Sequence, residues 1–222
     1  GFAGDVVIPE VLHAQSRVLV MDWLGGTPLA AVARNGTQTQ RDQAAAAYQL
    51  FLVSGPERAG LLHTDPHPGN FRVLDDGRLG VMDFGSTLEL DGMPTTFGRL
   101  IRALTGADPA AVERTLRDEG FLHTPVDVTK LVGWMAPFSE PARHERFRFS
   151  RAWLRAEFGR VDDPRDPDFA VALKLDLPAE HLFTQRVWLG MVGVLCQLEA
   201  DVDVAPVLRR WLPGFATPLG FP

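Results

Sequence analysis

The sequence predicts an α+β fold that is predominantly helical. Near the N terminus, residues 16–23 form a run rich in β-forming side chains that stops at two consecutive glycines, which predicts a buried strand and a turn. Residues 71–74 and 79–83 flank a glycine-containing turn and predict a β-hairpin. Beyond Gly85, apolar residues recur at helical spacing, so helices are expected to dominate the C-terminal half.

The remaining elements follow from local patterns along the chain. Residues 6–12 predict a partner for the buried strand, and Thr27-Pro28 opens a short helix. A longer helix is predicted from Thr39, as its N-cap, to about Ser54. The C-terminal half is expected to contain helices at 94–104, 109–120, 127–136, 141–158, 178–200 and 204–212.

Composition limits the class of protein. The 222 residues are 45% hydrophobic and 23% charged, which is typical of one or two folded domains. A net charge of -6 argues against nucleic acid as a partner, because such binding needs clustered positive charge. The single cysteine, Cys196, excludes an internal disulfide and favours a reducing compartment, so a cytoplasmic location is expected. Residues 187–198 are too few for a membrane span of about 20 apolar residues.

Three oxygen-bearing side chains are candidates for the chemistry of this chain. Asp65 and Asn70 lie in one loop rich in proline and glycine, and Asp83 follows the second strand of the hairpin. Since the hairpin folds the chain back, the three side chains are expected to converge. Carboxylate and amide oxygens, completed by water and phosphate oxygens, are the ligands that Mg²⁺ prefers. The sequence therefore predicts a phosphate-directed Mg²⁺ site.

These residues occur in the order of a kinase catalytic loop and its metal-binding motif. His63, Asp65 and Asn70 match the pattern His-x-Asp-x-x-x-x-Asn, and Asp83-Phe84-Gly85 follows within the next 20 residues. Six specified residues in this order should arise by chance on the order of one time in ten thousand or less. The strand, turn and strand between the two halves are the context that the motif requires.

The string Gly60-Leu-Leu-His-Thr-Asp-Pro-His-Pro-Gly-Asn70, together with residues 18–29 and Asp-Phe-Gly, resembles the UbiB/AarF family of atypical kinases. The resemblance covers about residues 5–90. Thr64 replaces the usual Ala of the family, and Asp22 stands where the family often has Glu. The resemblance implies a protein-kinase-like fold that uses Mg²⁺ and ATP.

The resemblance also implies roles for six residues. Asp65 occupies the catalytic-base position, and Asn70 and Asp83 are implied Mg²⁺ ligands. The segment Met21, Asp22 and Trp23 corresponds to the hinge whose backbone meets adenine. His63 is expected to pack and hydrogen-bond under the loop, whereas for His67 a bracing role and a ligand role both stay open.

The resemblance divides the chain into two parts. Residues 1–26 correspond to a remnant of the N-terminal lobe with the hinge. Residues 27–222 correspond to the C-terminal lobe, with the catalytic loop at 63–70, Asp-Phe-Gly at 83–85 and a helical subdomain at 93–222. The first 17 residues contain no Lys and no glycine-rich loop for phosphate, so residues 1–222 are expected to be catalytically incomplete by themselves. The missing N-terminal lobe of the same protein is therefore an expected partner.

Three functions remain open at this stage. The family resemblance implies a kinase or ATPase that supports prenyl-quinone or other lipid metabolism and acts on an unknown small-molecule or lipid acceptor. Aminoglycoside and choline phosphotransferases share a similar motif, so a small-molecule phosphotransferase is the enzymatic alternative. A pseudokinase that binds nucleotide as a scaffold is the alternative from another class.

An arginine-rich segment carries one further expectation. Arginines 143, 146, 148, 151 and 155 fall in one predicted helix with aromatic residues between them. Because they spread around the helix, a solvated face is the main interpretation. Peripheral contact with an anionic membrane is the alternative.

Overall fold

The computed structural model describes residues 2, 4–106, 108–161, 163, 165 and 168–216. In these residues the strands are β1 Val6–Val7, β2 Val11–Gln15, β3 Val18–Met21, β4 Thr27–Pro28, β5 Leu61–His63, β6 Phe71–Val73, β7 Leu79–Val81, β8 Thr87–Glu89, β9 Arg146–Arg148 and β10 Asp201–Asp203. The α-helices are α1 Leu29–Asn35, α2 Gln38–Ala59, α3 Thr95–Gly106, α4 Pro109–Asp118, α5 Val128–Ser139, α6 Arg151–Val161, α7 Phe169–Ala172, α8 Leu182–Leu198 and α9 Ala205–Trp211. Short 3₁₀ turns occur at Pro68–Asn70, Glu140–Arg143 and Ala179–His181. About half of the chain is helical, as predicted.

The predicted hairpin is present and forms the centre of a small mixed sheet. Strands β6 and β7 are antiparallel, with Phe71 opposite Val81 and Val73 opposite Leu79. Strand β4 joins the β6 edge antiparallel, and β1 joins the β7 edge in parallel, which gives the order β1-β7-β6-β4. Asn70 directly precedes β6, and Met82 directly follows β7. Because the two strands are antiparallel, the end of the catalytic-loop motif and the start of Asp-Phe-Gly meet at one end of the hairpin.

Helix α2 is the long buried helix on which this sheet rests. The helix begins two residues earlier than predicted: Thr37, and not Thr39, is the N-cap. Its side chain accepts a hydrogen bond from the Gln40 amide, and the Gln40 side chain accepts one from the Thr37 amide. This reciprocal capping box satisfies two amides at once, which Thr39 cannot do from inside the first turn. The helix ends at Gly60, whose φ of 69° favours glycine.

Two apolar clusters hold the described residues together. The larger joins the hairpin and α2 to α8 and α9, with Tyr48, Phe71 and Leu195 fully buried. The smaller lies among α3, α4 and α5 and includes Leu116 and Leu131. The larger cluster therefore fixes α2 and α8 on either side of the loop that follows β5.

The prediction of a buried strand at 16–23 is wrong in its burial. Strand β3 forms, but among the residues that the structure describes it pairs only with β2, in a two-stranded hairpin. Both strands are exposed along their whole length; Val18 and Leu19 are each 56% exposed. An apolar run is buried only when another layer covers it, and the described residues leave this hairpin uncovered.

The predicted helix at 141–158 is also wrong over its first half. Residues 146–148 form β9, which pairs antiparallel with β10, and helix α6 begins only at Arg151. The sequence Arg-Phe-Arg-Phe alternates with a period of two, so the strand presents Phe147 to its neighbours and places Arg146 against Asp201 and Asp203. Arg143 and Arg148 likewise bind within the protein, at the Leu104 carbonyl and the Gln38 side chain. The single basic helix proposed for membrane contact does not exist.

The other predicted helices are present with shifted ends. None of the helices in the described ranges is long and apolar enough to cross a bilayer. The two predicted domains remain predictions, and some of their residues, including Gly1 and 217–222, lie outside the described residues.

Candidate active site

The catalytic-loop motif starts where β5 ends, and β8 fixes this starting point. Strand β5 pairs antiparallel with β8, which follows Asp-Phe-Gly, and His63 lies opposite Thr87. One residue on, the Thr64 amide donates to the Ser86 carbonyl at 3.0 Å, and the two side-chain hydroxyls lie 2.6 Å apart. Thr64 replaces the usual Ala of the family, and its buried side chain pairs with the half-buried hydroxyl of Ser86. The segment that leads into Asp65 is therefore hydrogen-bonded to the segment that follows Asp-Phe-Gly.

Asp65 and Asn70 are in direct contact. The Asn70 Nδ2 donates to the Asp65 Oδ2 at 2.8 Å and to the Asp65 carbonyl at 3.2 Å. Both side chains are half-buried. These hydrogen bonds join the two ends of the loop through the Asn70 Nδ2. The Asn70 Oδ1 takes no part in them, so this amide oxygen can bind another group.

His63 connects Asp65 to Asp83 from below the loop. The Asp65 amide donates to the His63 Nδ1 at 3.4 Å, so this ring nitrogen carries a lone pair. The His63 Nε2 lies 2.5 Å from the Asp83 carbonyl, which can only accept, and it must therefore be protonated. The imidazole is buried, and Phe84 lies edge-on to it at 5.5 Å. A structural role for His63, as expected from the sequence, agrees with these contacts.

Asp83 lies beside Asn70 at the open end of the hairpin. The Met82 amide donates to the Asn70 carbonyl at 3.1 Å, which holds the backbone at Asp83 next to the loop. The Asp83 Oδ1 accepts from the Gly85 amide at 2.7 Å, and the exposed side chain leaves its second oxygen to solvent. The structure thus brings the three predicted residues to one end of the hairpin.

The donor set of this site fits Mg²⁺. Asn70 and Asp83 each offer one oxygen outside the hydrogen bonds described above. Mg²⁺ commonly takes one or two such protein oxygens and completes its shell with water and phosphate oxygens. Within the described ranges, no group of three or more His, Cys, Asp or Glu side chains is placed to hold a metal ion.

Tyr48 of α2 supports the loop, and sequence reasoning missed it. Its hydroxyl donates to the carbonyl of Pro66 at 2.6 Å, directly after Asp65. The ring is fully buried and meets Phe71 edge-on at 4.9 Å. Burial, and then the charge of Asp65, raises the pKa of the Tyr48 hydroxyl, so it stays protonated and donates. The apolar spacing of α2 identified Tyr48 as core but gave no sign of this bond.

Helix α8 approaches the same loop from the other side. Gly190 lies against Pro66, and a Cβ at Gly190 would overlap the proline ring. One turn earlier on α8, the Arg186 Nη2 lies 3.6 Å from the Asp65 Oδ1. No short motif could reveal this contact, because its two residues are far apart along the chain.

The predicted hinge residues lie at and after the end of β3. Met21 pairs with Val11, and the Asp22 amide donates to the Glu10 carbonyl at 2.9 Å. The Trp23 side chain is 89% exposed. Their role toward adenine stays a prediction.

Arg72 joins the segment after the hinge to the hairpin. Its guanidinium donates to the carbonyls of Gly25 and Gly26 at 2.8 and 2.6 Å. Leu24 packs over Gly80, where a Cβ would lie 2.6 Å from its Cδ2. Arg72 therefore anchors the segment after the predicted hinge residues to β6.

His67 braces the loop through one ring nitrogen. The Gly69 amide donates to the His67 Nδ1 at 3.1 Å and caps the 3₁₀ turn at Pro68–Asn70. The ring is exposed, and its other nitrogen, Nε2, takes no part in this hydrogen bond. The bracing role is thus observed, and a ligand role stays open.

The structure thus joins a loop of the pattern His-x-Asp-x-x-x-x-Asn to Asp-Phe-Gly across a hairpin. The amino-acid sequence of this region also matches a known domain family. Residues 3–115, just over half of the chain, match the ABC1 atypical kinase-like domain. The chain belongs to the ABC1 atypical kinase-like family. The resemblance to the UbiB/AarF kinases is confirmed.

The chain is also similar to individual proteins, one of which is named as a BC1 complex kinase. The chain is 30% identical over 145 residues to the protein ACTIVITY OF BC1 COMPLEX KINASE 3, chloroplastic, of Arabidopsis thaliana, which covers 62% of the chain and 20% of that protein. It is 29% identical over 144 residues to an uncharacterised Synechocystis protein, which covers 59% of the chain and 24% of that protein. The structure of Rv3197 from Mycobacterium tuberculosis, solved in complex with erythromycin, superposes with a TM-score of 0.86 at 30% identity.

The chain spans only part of the length of these relatives. The superposition covers 97% of this chain but 54% of the Rv3197 chain. The shares of the two other proteins are 20% and 24%. The Arabidopsis relative is named as chloroplastic, and the cytoplasmic location expected for this chain stays a prediction.

Proposed function

We propose that this chain carries the catalytic loop and the metal ligands of a Mg²⁺- and ATP-dependent phosphotransferase or ATPase. The observation that supports this most is the bond between Asn70 and Asp65 together with the imidazole bridge from Asp65 to Asp83. These contacts bring two carboxylates and an amide to one end of a hairpin in a member of the ABC1 family.

Each residue of the site has one role in this proposal. Asn70 and Asp83 would hold Mg²⁺, which neutralises charge on the phosphate oxygens of ATP when bound. Asp65 orients the hydroxyl of the acceptor, or a water, and takes its proton as the new P–O bond forms. The backbone of Met21, Asp22 and Trp23 would contact adenine.

The remaining wall of the nucleotide site is proposed to come from further residues of the same protein. A kinase positions the phosphates with a Lys on a strand of the N-terminal lobe. The two lysines of this chain, Lys130 and Lys174, both lie in the helical subdomain. The exposed apolar hairpin of β2 and β3 offers a surface for such a lobe, with Leu12 60% exposed, and the relatives are several times longer than the matched segment.

The proposed acceptor is a small molecule or a lipid, with prenyl-quinone metabolism as the process that the family resemblance implies. A hydroxylated small molecule is the second candidate, as in the aminoglycoside and choline phosphotransferases. One observation favours this candidate: the solved relative Rv3197 is a complex with erythromycin, a molecule that bears several hydroxyl groups.

The test is Mg²⁺-dependent formation of ADP from ATP by the protein at full length. Asp65→Asn should lower kcat by roughly 10²- to 10⁴-fold, because an amide cannot accept the proton. Asp83→Asn should remove most of the Mg²⁺-dependent turnover, because the substitution takes away one of the two proposed metal ligands. Asp76→Asn, at an exposed carboxylate in the hairpin turn, is the matched control and should turn over like the wild type.

The three functions that the sequence left open give different results. Turnover that disappears in Asp65→Asn supports the enzyme. Nucleotide binding without turnover in the wild type would contradict it and favour the scaffold. Stimulation of ADP formation by a hydroxylated antibiotic, and not by a prenyl-quinone precursor, would favour the second acceptor class.

A further inference from the structure

A cation from the helical subdomain lies at the carboxylate of the catalytic loop. The Nη2 of Arg186 on α8 is 3.6 Å from the Oδ1 of Asp65. The other carboxylate oxygen, Oδ2, accepts the hydrogen bond from Asn70. Asp65 is thus held from two sides, by a proposed metal ligand on one oxygen and by a guanidinium on the other.

The position of Arg186 is set by helix packing. Residues 186 and 190 are four apart on α8 and therefore share one face of the helix. Gly190 on that face touches the ring of Pro66, the residue after Asp65. Because a side chain at position 190 would push α8 away, the glycine lets the helix come close enough for Arg186 to reach the carboxylate.

The contact leaves room for a substrate. A separation of 3.6 Å is an ion pair but is longer than a hydrogen bond, so the Oδ1 can still accept a proton from a hydroxyl group. The side chains of Arg186 and Asp65 are 54% and 36% exposed, so both are open to a molecule that enters the site.

Arg72, the arginine nearest the catalytic loop in sequence, is engaged elsewhere. Arg72, the arginine on β6, donates to two backbone carbonyls of the hinge segment. Both lysines lie in the helical subdomain, and the loop itself has Thr64 next to Asp65. Phosphoryl transfer develops charge on the equatorial oxygens of the moving group, and a cation beside that group stabilises it.

We propose that Arg186 is a further residue of the phosphoryl-transfer site, contributed by α8. In the resting state it positions the Asp65 carboxylate, and during transfer it stabilises the negative charge of the moving phosphoryl group. The acceptor oxygen bonds to phosphorus as the bond to the ADP oxygen breaks, and the acceptor proton passes to the Asp65 Oδ1. Arg186 stays protonated throughout. This inference rests on the proposed function of the site.

The test measures ADP formation by the full-length protein and three variants at position 186. Arg186→Gln should lower kcat roughly tenfold to a hundredfold while the KM for ATP changes less than about twofold. Arg186→Lys, which keeps the charge, should restore part of the loss. Arg186→Ala should be partly rescued by millimolar guanidinium ion, which a purely structural role would not allow.

A matched control exists on α9. Arg210 forms an equally loose pair, 3.7 Å from Glu57, and its side chain is 66% exposed. Arg210→Gln should therefore leave turnover unchanged, and the thermal midpoints of Arg210→Gln and Arg186→Gln should agree within about a degree, since exposed ion pairs contribute little stability.

The possible failures of this test are distinguishable. If Asp65→Asn loses turnover but Arg186→Gln keeps its kcat within about twofold, the role of Arg186 is refuted and the proposed function stands. If Arg186→Gln loses activity only in proportion to lost folded protein, or guanidinium does not rescue Arg186→Ala, the role is also refuted. If Asp65→Asn turns over like the wild type, the proposed function fails and the role of Arg186 fails with it.

Discussion

Replacing Tyr48 by Phe removes one atom from beneath the catalytic loop. The lost hydroxyl is the donor to the Pro66 carbonyl at 2.6 Å, and both residues are buried. The ring keeps its contact with Phe71, so the change leaves the packing in place. A buried carbonyl without a donor costs about 1–3 kcal/mol in free energy of unfolding. For a domain of this size the thermal midpoint should fall by roughly 2–12 °C.

The matched control for Tyr48→Phe is Ser54→Ala on the same helix. Ser54 is also fully buried, and its hydroxyl also donates to a carbonyl at 2.6 Å. Its acceptor, the Leu50 carbonyl, lies inside α2 and keeps the backbone amide of residue 54 as a donor. Ser54→Ala should therefore cost less than about 1 kcal/mol.

Urea and thermal denaturation of both variants measure the difference. Tyr48→Phe should in addition lower turnover more than Ser54→Ala does, because Pro66 follows Asp65 directly. Equal losses of stability in the two variants would refute the reasoning, since they would show that the Pro66 carbonyl does not depend on Tyr48.

Three further predictions concern a helix cap, a close helix approach and a buried thiol. Thr37→Ala should cost about 1 kcal/mol of unfolding free energy while Thr39→Ala costs almost nothing, and the reverse order in urea denaturation would contradict the observed cap. Gly190→Ala should destabilise the protein by about 1–3 kcal/mol, because the added Cβ overlaps the ring of Pro66. Gly193→Ala, on the same helix with open space around it, should be neutral or stabilising. Equal melting temperatures of the two variants would contradict the close approach of α8 to Pro66. Burial raises the pKa of the Cys196 thiol to about 12, so at pH 8 it should be protonated and react with a maleimide only as fast as the protein unfolds. Rapid labelling of the native protein would contradict that burial.

The catalytic loop and the hairpin were predictable because their residues are close along the chain. Asp65 and Asn70 are five positions apart, and a two-stranded hairpin is the simplest way to bring Asp83 back to them. Chain folding within about 20 residues is governed by turn residues and strand alternation, which a sequence displays directly.

The supports of this loop were not predictable because they come from distant helices. Tyr48 and Gly190 lie in apolar helical patterns. Such patterns predict that a residue packs in the core, but they do not identify Pro66 as the residue that both contact. Arg186 reads as an ordinary surface residue until α8 is placed against Pro66.

The two errors in secondary structure and burial have separate physical causes. Residues 146–149 alternate arginine and phenylalanine, which is a strand pattern. The basic and aromatic content of the segment favoured a helix instead. The partner strand β10 lies more than 50 residues further along the chain, so no local signal showed the pairing. Strand β3 has the composition of a buried strand, yet burial depends on a covering layer that the described residues do not include. The composition of a segment sets its preference for strand or helix, whereas tertiary contacts determine which one forms and whether it is buried.

The proposed function requires that Asn70 and Asp83 hold one Mg²⁺ beside Asp65. The most direct measurement is an experimental structure of the full-length protein with Mg²⁺ and a non-hydrolysable ATP analogue. We expect a metal ion about 2.1 Å from one oxygen of Asn70 and one of Asp83, with phosphate oxygens and water completing its shell and Asp65 facing the terminal phosphate. A nucleotide bound away from this loop, or a metal ion that neither Asn70 nor Asp83 touches, would contradict it.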